Sequence, residues 1–364
     1  MSAKCQEILI HTQVNSSNVI AGKQTIQVFV FSADMNNQCG ALKSLAEQIK
    51  CANPAELKEV VEHTLDVCKK CNKTLTSFTG NAKVITDKVG SLLENFSPEV
   101  GKSFKDKCTN FLDQANCAKR AAAVENQLNN CLTQQALDRA EILKQIEQQK
   151  ETINQSIQNA YKFASYCNFA TALINFIIAI VTLQATCGLI EQHEKLISEA
   201  KAKLAQHGRD LNNYYQEAQK LIESLESIGK QELNISNPMY ERLYELSDVV
   251  RDVQLDLEKI KSELGIATSK SQLQKNLHTS GAWAGGIGAL ISTVASVGQI
   301  ANLWNIGGII LNLSGSIANT IGIHMCKKDL KSLQDLTEWT EILINNANES
   351  MKILKSIKNT AKQK

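Results

Sequence analysis

Apolar residues recur every three or four positions along most of this chain, the period of a helix with one buried face. From Ala41 to Thr76 they fall at Leu42, Leu45 and Ile49, then at Leu57, Val60, Val61, Leu65, Cys68 and Leu75. The pattern predicts two helices meeting at Asn53-Pro54, because proline disfavours helical geometry in the residue before it. Another helix is expected over Ala82 to Phe96, closing at Ser97-Pro98. The run from Val100 to Ile190 holds no proline and, of glycines, only Gly101 and Gly188, which predicts one or two very long helices. Thr25 to Phe31 (TIQVFVF) alternates as a strand would, but no second segment offers to pair with it. Strand and buried helix both remain open there, with the helix favoured.

Between Leu196 and Ile228 the spacing tightens. Ile197, Ala200, Leu204, His207, Leu211, Tyr214, Ala218, Leu221, Leu225 and Ile228 alternate in steps of three and four, which is a heptad seam. Gly229 and Asn234-Ile235-Ser236-Asn237-Pro238 interrupt it, with Asn237 suited to an N-cap and Pro238 to the first helical position. The seam resumes at Leu243, Leu246, Val250, Val253, Leu257, Ile260 and Leu264. Two matched heptad helices joined by a short connection predict an antiparallel hairpin. From Lys327 to Lys364 the residues Leu330, Leu333, Leu336, Leu343, Ala347, Met351 and Leu354 predict an amphipathic helix docked on the bundle.

Two stretches lack Asp, Glu, Lys and Arg altogether. Asn276 to Cys326 is long enough for two spans of about 20 residues and a turn, expected near Gln299 to Gly308. Lys270 and Lys275 precede it and Lys327 and Lys328 follow, which suits a hairpin with both ends on one side of a bilayer. Half of the 18 glycines fall inside it, among them Gly281, Gly285, Gly288 and Gly315. Rows such as Gly281, Gly285, Ala289 and Gly288, Ser292, Ser296 have the four-residue spacing that lets helices approach closely. Trp283 and Trp304 stand near the expected ends of the first span. The second stretch, Phe163 to Ile190, has the more hydrophobic core, Ala170 to Leu183, although Asn168, Asn175 and Gln184 each need a partner in hydrocarbon. A helix apolar on all sides is either deep core or membrane, so a soluble bundle with a buried apolar centre competes with lipid contact.

Composition narrows the field. Three prolines and 5% aromatics fit long helices packed by aliphatic side chains, and a net charge of +2 gives no field to recruit nucleic acid. Met1 to Gln13 lack the basic start and apolar core of a secretory signal, so the 11 cysteines are read as free thiols in a reducing compartment. Cys108, Cys131 and Cys187 sit at apolar positions of helical patterns, where cysteine acts as a small hydrophobe. Cys68-Lys69-Lys70-Cys71 has no second pair at zinc-site spacing and reads as two thiols on one helix face. His207 belongs to the heptad seam, while His278 and His324 bracket the charge-free hairpin, where they would sense acidity. No phosphate-binding glycine loop, GxSxG or HExxH occurs, so neither an enzyme nor a metal or cofactor is expected.

The seams Ile197 to Ile228 and Leu243 to Leu264, with Ala170 to Leu183 and Gly281 to Gly322, resemble in layout the α-helical pore-forming toxins of the cytolysin A and haemolysin BL type. The glycine-rich hairpin with its charged amphipathic successor also looks like the apolipoprotein L family, over about the last 90 residues. The expected fold is all-α: an elongated helical bundle with long antiparallel coiled-coil helices and an apolar helical hairpin. Its expected segments are an N-terminal bundle (1–162), an apolar helix (163–190), a heptad hairpin (191–275), a glycine-rich apolar hairpin (276–326) and a C-terminal amphipathic helix (327–364). The first resemblance implies a protein that shelters apolar helices and inserts them into a bilayer from a soluble form, as an oligomeric pore; the alternative is a resident transmembrane coiled-coil scaffold. Expected partners are a lipid bilayer and a further copy or helical partner protein, with no nucleic acid. Expected insertion residues are Ala170, Leu173, Ile174, Phe176, Ile177, Ile178, Ile180 and Val181, then Trp283, Ile287, Leu290, Ile291, Val294, Trp304, Ile309, Ile310 and Leu311. Expected helix-packing residues are Gly281, Gly285, Gly288, Ser292 and Gly315.

Overall fold

The computed structural model describes residues 3–113, 117–227, 238–297 and 303–362, with side chains over 17–112, 117–221, 238, 241–293 and 303–355. Seven helices account for nearly all of them: α1 (Ala3–Cys51), α2 (Pro54–Glu94), α3 (Pro98–Asp113), α4 (Cys117–Thr133), α5 (Arg139–Ser227), α6 (Pro238–Val297) and α7 (Leu303–Lys362). No strand occurs among the described residues, so the all-α expectation holds and Thr25 to Phe31 lies inside α1.

The break at Asn53-Pro54 is where the sequence puts it. Asn53 caps α2 by accepting from the backbone N–H of Ala55 and Glu56, and the Glu56 carboxylate accepts from Asn53 N–H in return. This reciprocal pair satisfies donors that a helix start leaves without partners, and Pro54 has no N–H to strand. The break expected before Ala82 does not exist, because α2 runs unbroken through Gly80 to Glu94. Its inward row Leu65, Cys68, Cys71, Leu75, Phe78 and Ala82 holds the helix together where local propensity is weak. The opposite correction applies after Pro98, where the expected long helix is interrupted between Thr133 and Arg139, while residues 114–116 lie outside the described residues. The interruption uses neither proline nor glycine. Gln135 takes a left-handed φ of 54°, Ala136 N–H closes on the Cys131 carbonyl at 3.1 Å, and Asp138 Oδ1 then accepts from Ala140 N–H to open α5. The expected boundaries at 190 and 327 fall within α5 and α7 respectively. Leu303 to Gly308, expected in a turn, are helical residues of α7.

The chain forms two compact units, 1–180 with 280–319 and 181–279 with 320–364. In the first, α1 to α4 and the front of α5 enclose an aliphatic and aromatic core. Phe31 stacks on Phe78 at 4.2 Å, Phe78 meets Phe163 edge-on, and Leu42, Ile49, Val61, Phe104, Leu128, Ile146 and Ile153 fill in between. The Arg139 guanidinium donates to the carbonyls of Lys50 and Ala52, closing the open end of α1.

In the second unit, Ala200, Leu204, Leu211 and Ala218 of α5 meet Leu243, Val250, Leu257 and Leu264 of α6 and Leu333, Leu336, Leu343 and Leu354 of α7. The predicted heptad seams are the core of this unit, with α7 as a third member. His207 is half-buried on the seam, 3.8 Å from Asp256. A buried His193 lies 2.7 Å from an equally buried Asp329, tying α5 to α7. Cys108 and Cys131 are buried as expected, but Cys187 is exposed on α5, since its position in the apolar run points away from the neighbouring helices. Residues 228–237, with the expected cap Asn237, lie outside the described residues.

Candidate functional site

On α7 the positions Asn305, Asn312, Asn319, Cys326, Leu333, Thr340, Ala347 and Leu354 succeed one another at seven-residue steps, and all are buried. On α6 the series runs the other way: Leu243, Val250, Leu257 and Leu264 lead to Ser271, His278, Gly285 and Ser292, again all buried. Seven-residue steps keep a position on one helix face. Each helix therefore keeps an inward row that is mainly aliphatic in one part and polar in the other.

In the first unit the polar part of this row is a hydrogen-bonded node. Ser17 Oγ donates to Asn175 Oδ1 at 2.8 Å, and Asn175 Nδ2 donates to Asn18 Oδ1 at 3.1 Å and reaches Asn312 Oδ1 at 3.4 Å. Asn18 Nδ2 donates to the carbonyl of Ala284 at 3.2 Å. Four helices, α1, α5, α6 and α7, are thus joined through buried amides whose mutual pairing removes most of the cost of leaving water. Asn168 stands a level away with its Nδ2 3.5 Å from Thr25 Oγ1, while Gln184 is exposed.

Glycine makes the close approach of α6 to α7 possible. A Cβ on Gly285 would lie 2.9 Å from the Asn312 carbonyl oxygen, and one on Gly288 2.7 Å from the Asn312 amide oxygen. Gly281 faces the Asn319 amide in the same way. Gly315 turns to α5, with Phe176 Cα 3.5 Å from its would-be Cβ, and the buried Ser292 hydroxyl lies 3.4 Å from that of Gly308.

The outward faces carry what a core normally holds. Trp283, Ile287 and Leu290 are exposed on α6, and Leu303, Ile306, Ile310, Leu313 and Ile317 on α7, with Leu303 82% and Leu290 67% accessible. Ile291, Trp304, Ile309 and Leu311 are half-buried at the edges of this face. The Val294 side chain lies outside the described residues. On α5, by contrast, Ala170, Ile174 and Ile178 are buried and Leu173, Phe176, Ile177 and Ile180 half-buried, with Val181 alone of this set exposed. The hairpin exposes several large apolar side chains, whereas over residues 170–181 of α5 only Val181 is exposed.

Sequence reasoning took Asn305 as a turn marker and overlooked Ser17 and Asn18. The signal for the first was present in the seven-residue spacing of Asn305, Asn312 and Asn319; nothing local in α1 marks Ser17 and Asn18, whose partners lie more than 150 residues away in α5 and beyond. Of the bracketing histidines, His278 is buried against Thr186 at 2.8 Å and His324 is exposed. Cys68 and Cys71 lie buried in α2, where burial pushes both thiols up, Cys71 to about 11. Among the described residues no group of three or more His, Cys, Asp or Glu is placed to hold a metal ion.

These features define the class: an all-α helical bundle in which two helices, α5 and α7, are long and apolar enough to cross a bilayer, with only 33% of the most apolar stretch of each buried. No protein-family model, curated protein or solved structure matches the chain.

Proposed function

We propose that this is a membrane-active helical-bundle protein whose α6–α7 hairpin lays its apolar face on a bilayer and whose apolar α5 run follows it into the hydrocarbon. The observation that carries this reading is the inversion of the hairpin, with Asn312 and Gly288 inside and Ile310 and Leu290 outside. In water, exposed apolar side chains in this number on two adjacent helices are of the kind that mark an interaction surface. In lipid the same face is free of charge, and buried asparagines and glycines hold the helices together where the hydrophobic effect no longer does. Self-association of several copies within the bilayer makes a pore, for which release of dye from loaded vesicles is the readout.

Flotation with vesicles tests the reading. Ile310→Lys places an ammonium on the exposed face and is expected to weaken vesicle binding on the order of 100-fold while leaving the soluble fold intact. No binding and no leakage by the unmodified protein from about pH 5 to 8 removes the proposal. A second reading, a resident transmembrane scaffold, draws on the fact that the hairpin face is already outward. Alkaline carbonate separates the two, since a resident protein stays in the membrane pellet and a docked one is released.

A further inference from the structure

At the start of α7 an ammonium sits in an aromatic cage. Lys107 Nζ on α3 lies 4.4 Å from the ring centre of Trp304 and 5.1 Å from that of Tyr166. Tyr166 and Trp304 meet edge-to-face at 4.8 Å, so the two rings present different walls to one cation. The cage is built rather than incidental. Phe169 stands against Trp304 at 5.2 Å, and Phe104 and Phe111 brace Tyr166 at 5.3 and 5.8 Å. Among the described residues no carboxylate pairs with Lys107, whereas its neighbour Lys105 is held by Glu94 at 2.8 Å. Tyr166, Trp304 and Lys107 are all half-buried, so the cage opens to solvent, and it lies one residue from Leu303, the most exposed large apolar side chain of the hairpin.

A primary ammonium is a compact and strongly hydrated charge, so it gains little by leaving water for an aromatic face. A quaternary ammonium is weakly hydrated and is the ligand that aromatic cages hold best. We propose that Tyr166 and Trp304 form a recognition site for the phosphocholine headgroup, with Lys107 as its resident occupant. The trimethylammonium takes the place between the rings, and the displaced Lys107 ammonium meets the phosphate of the same headgroup. Both charges of the zwitterion are then answered, and headgroup depth coincides with the edge of the apolar face. This rests on the bilayer reading above and names the lipid that the hairpin meets.

The test uses the full chain with soluble phosphocholine, choline chloride and inorganic phosphate as probes, followed by vesicles of phosphatidylcholine or phosphatidylglycerol. Phosphocholine is expected to shift the Trp304 indole resonance saturably, choline less, and phosphate not at all. Trp304→Leu keeps the face apolar and is expected to lose about tenfold in binding to phosphatidylcholine vesicles while retaining its binding to phosphatidylglycerol. Lys107→Gln empties the cage without replacing any hairpin residue and is expected to strengthen choline binding while narrowing the preference of the site for phosphocholine. Equal binding of the unmodified protein to both vesicle types, with no Trp304 shift, overturns the headgroup assignment and leaves the bilayer reading standing. A saturable shift with no vesicle binding at all overturns the bilayer reading and leaves a site for the free zwitterion.

Discussion

Two stretches of the same helices solve the same packing problem with opposite chemistry. Along α6, Leu243 to Leu264 face inward while Glu245, Asp248, Asp252, Asp256 and Glu263 face water, and beyond Ser280 the inward positions are Gly285, Gly288 and Ser292 with Trp283, Ile287 and Leu290 outside. α7 mirrors this, with asparagines inward in its first turns and Leu333 and Leu354 inward in its later ones. The first arrangement draws its stability from removing apolar area from water. The second cannot, because its apolar area is outside. It relies on amide hydrogen bonds and on backbone approach through glycine, interactions that keep their value in a medium without water. Helix periodicity is the same in both, so the difference lies in which side chains each stretch turns inward.

The comparison is broken most strongly from the aliphatic side. Leu257→Ala leaves a cavity in a fully buried seam and is expected to cost about 3 kcal/mol in chemical denaturation. On the polar side the sensitive positions are the small ones. Gly288→Ala drives a Cβ into the Asn312 amide and is expected to cost about 1–3 kcal/mol by overpacking. Gly286→Ala, two residues away and open to space, is expected to gain up to about 1 kcal/mol from helix propensity. If the two glycines respond alike, close approach is not what holds α6 to α7.

A smaller effect sharpens the contrast through pH. Burial raises the Cys68 and Cys71 thiols, Cys71 to about 11, so the native protein keeps them protonated where unfolded thiols ionise, near about pH 8.5. Protons are then bound more tightly in the folded state, and stability is lost as pH rises from that point toward the folded values. The denaturation midpoint is expected to fall between pH 8 and 10, and Cys51 and Cys187, both exposed, to react with a thiol reagent before Cys68 or Cys71. The smallest effect belongs to the charged exterior of the coiled coil. The hydrogen bond from Arg242, 2.6 Å away, holds Glu217 below the usual carboxylate range, a contribution present above that range and lost as pH falls through the lowered value. Because both side chains are well exposed, Arg242→Gln is expected to shift the melting midpoint least of all these variants, and less still in high salt.

The sequence by itself determined that the described chain is helical, where α2 begins, and which of the described residues form the heptad seam of the second unit. These follow from local rules: a period of 3.6 residues, a capping asparagine and a proline act within a few positions of where they stand. It also determined that residues 163–190 and 276–326 avoid charge. Only the tertiary structure decided that α2 does not break at Gly80 and that α4 ends at a left-handed Gln135. It alone decided that Asn18, Asn175 and Asn312 meet, and that the hairpin turns Leu290, Ile310 and Ile317 outward while over 170–181 of α5 only Val181 is exposed. Composition states how apolar a segment is but not which way its faces point. Direction is set by partners distant in the chain, 24 residues from Gly288 to Asn312 and 137 from Asn175 to Asn312, and no local pattern carries that distance.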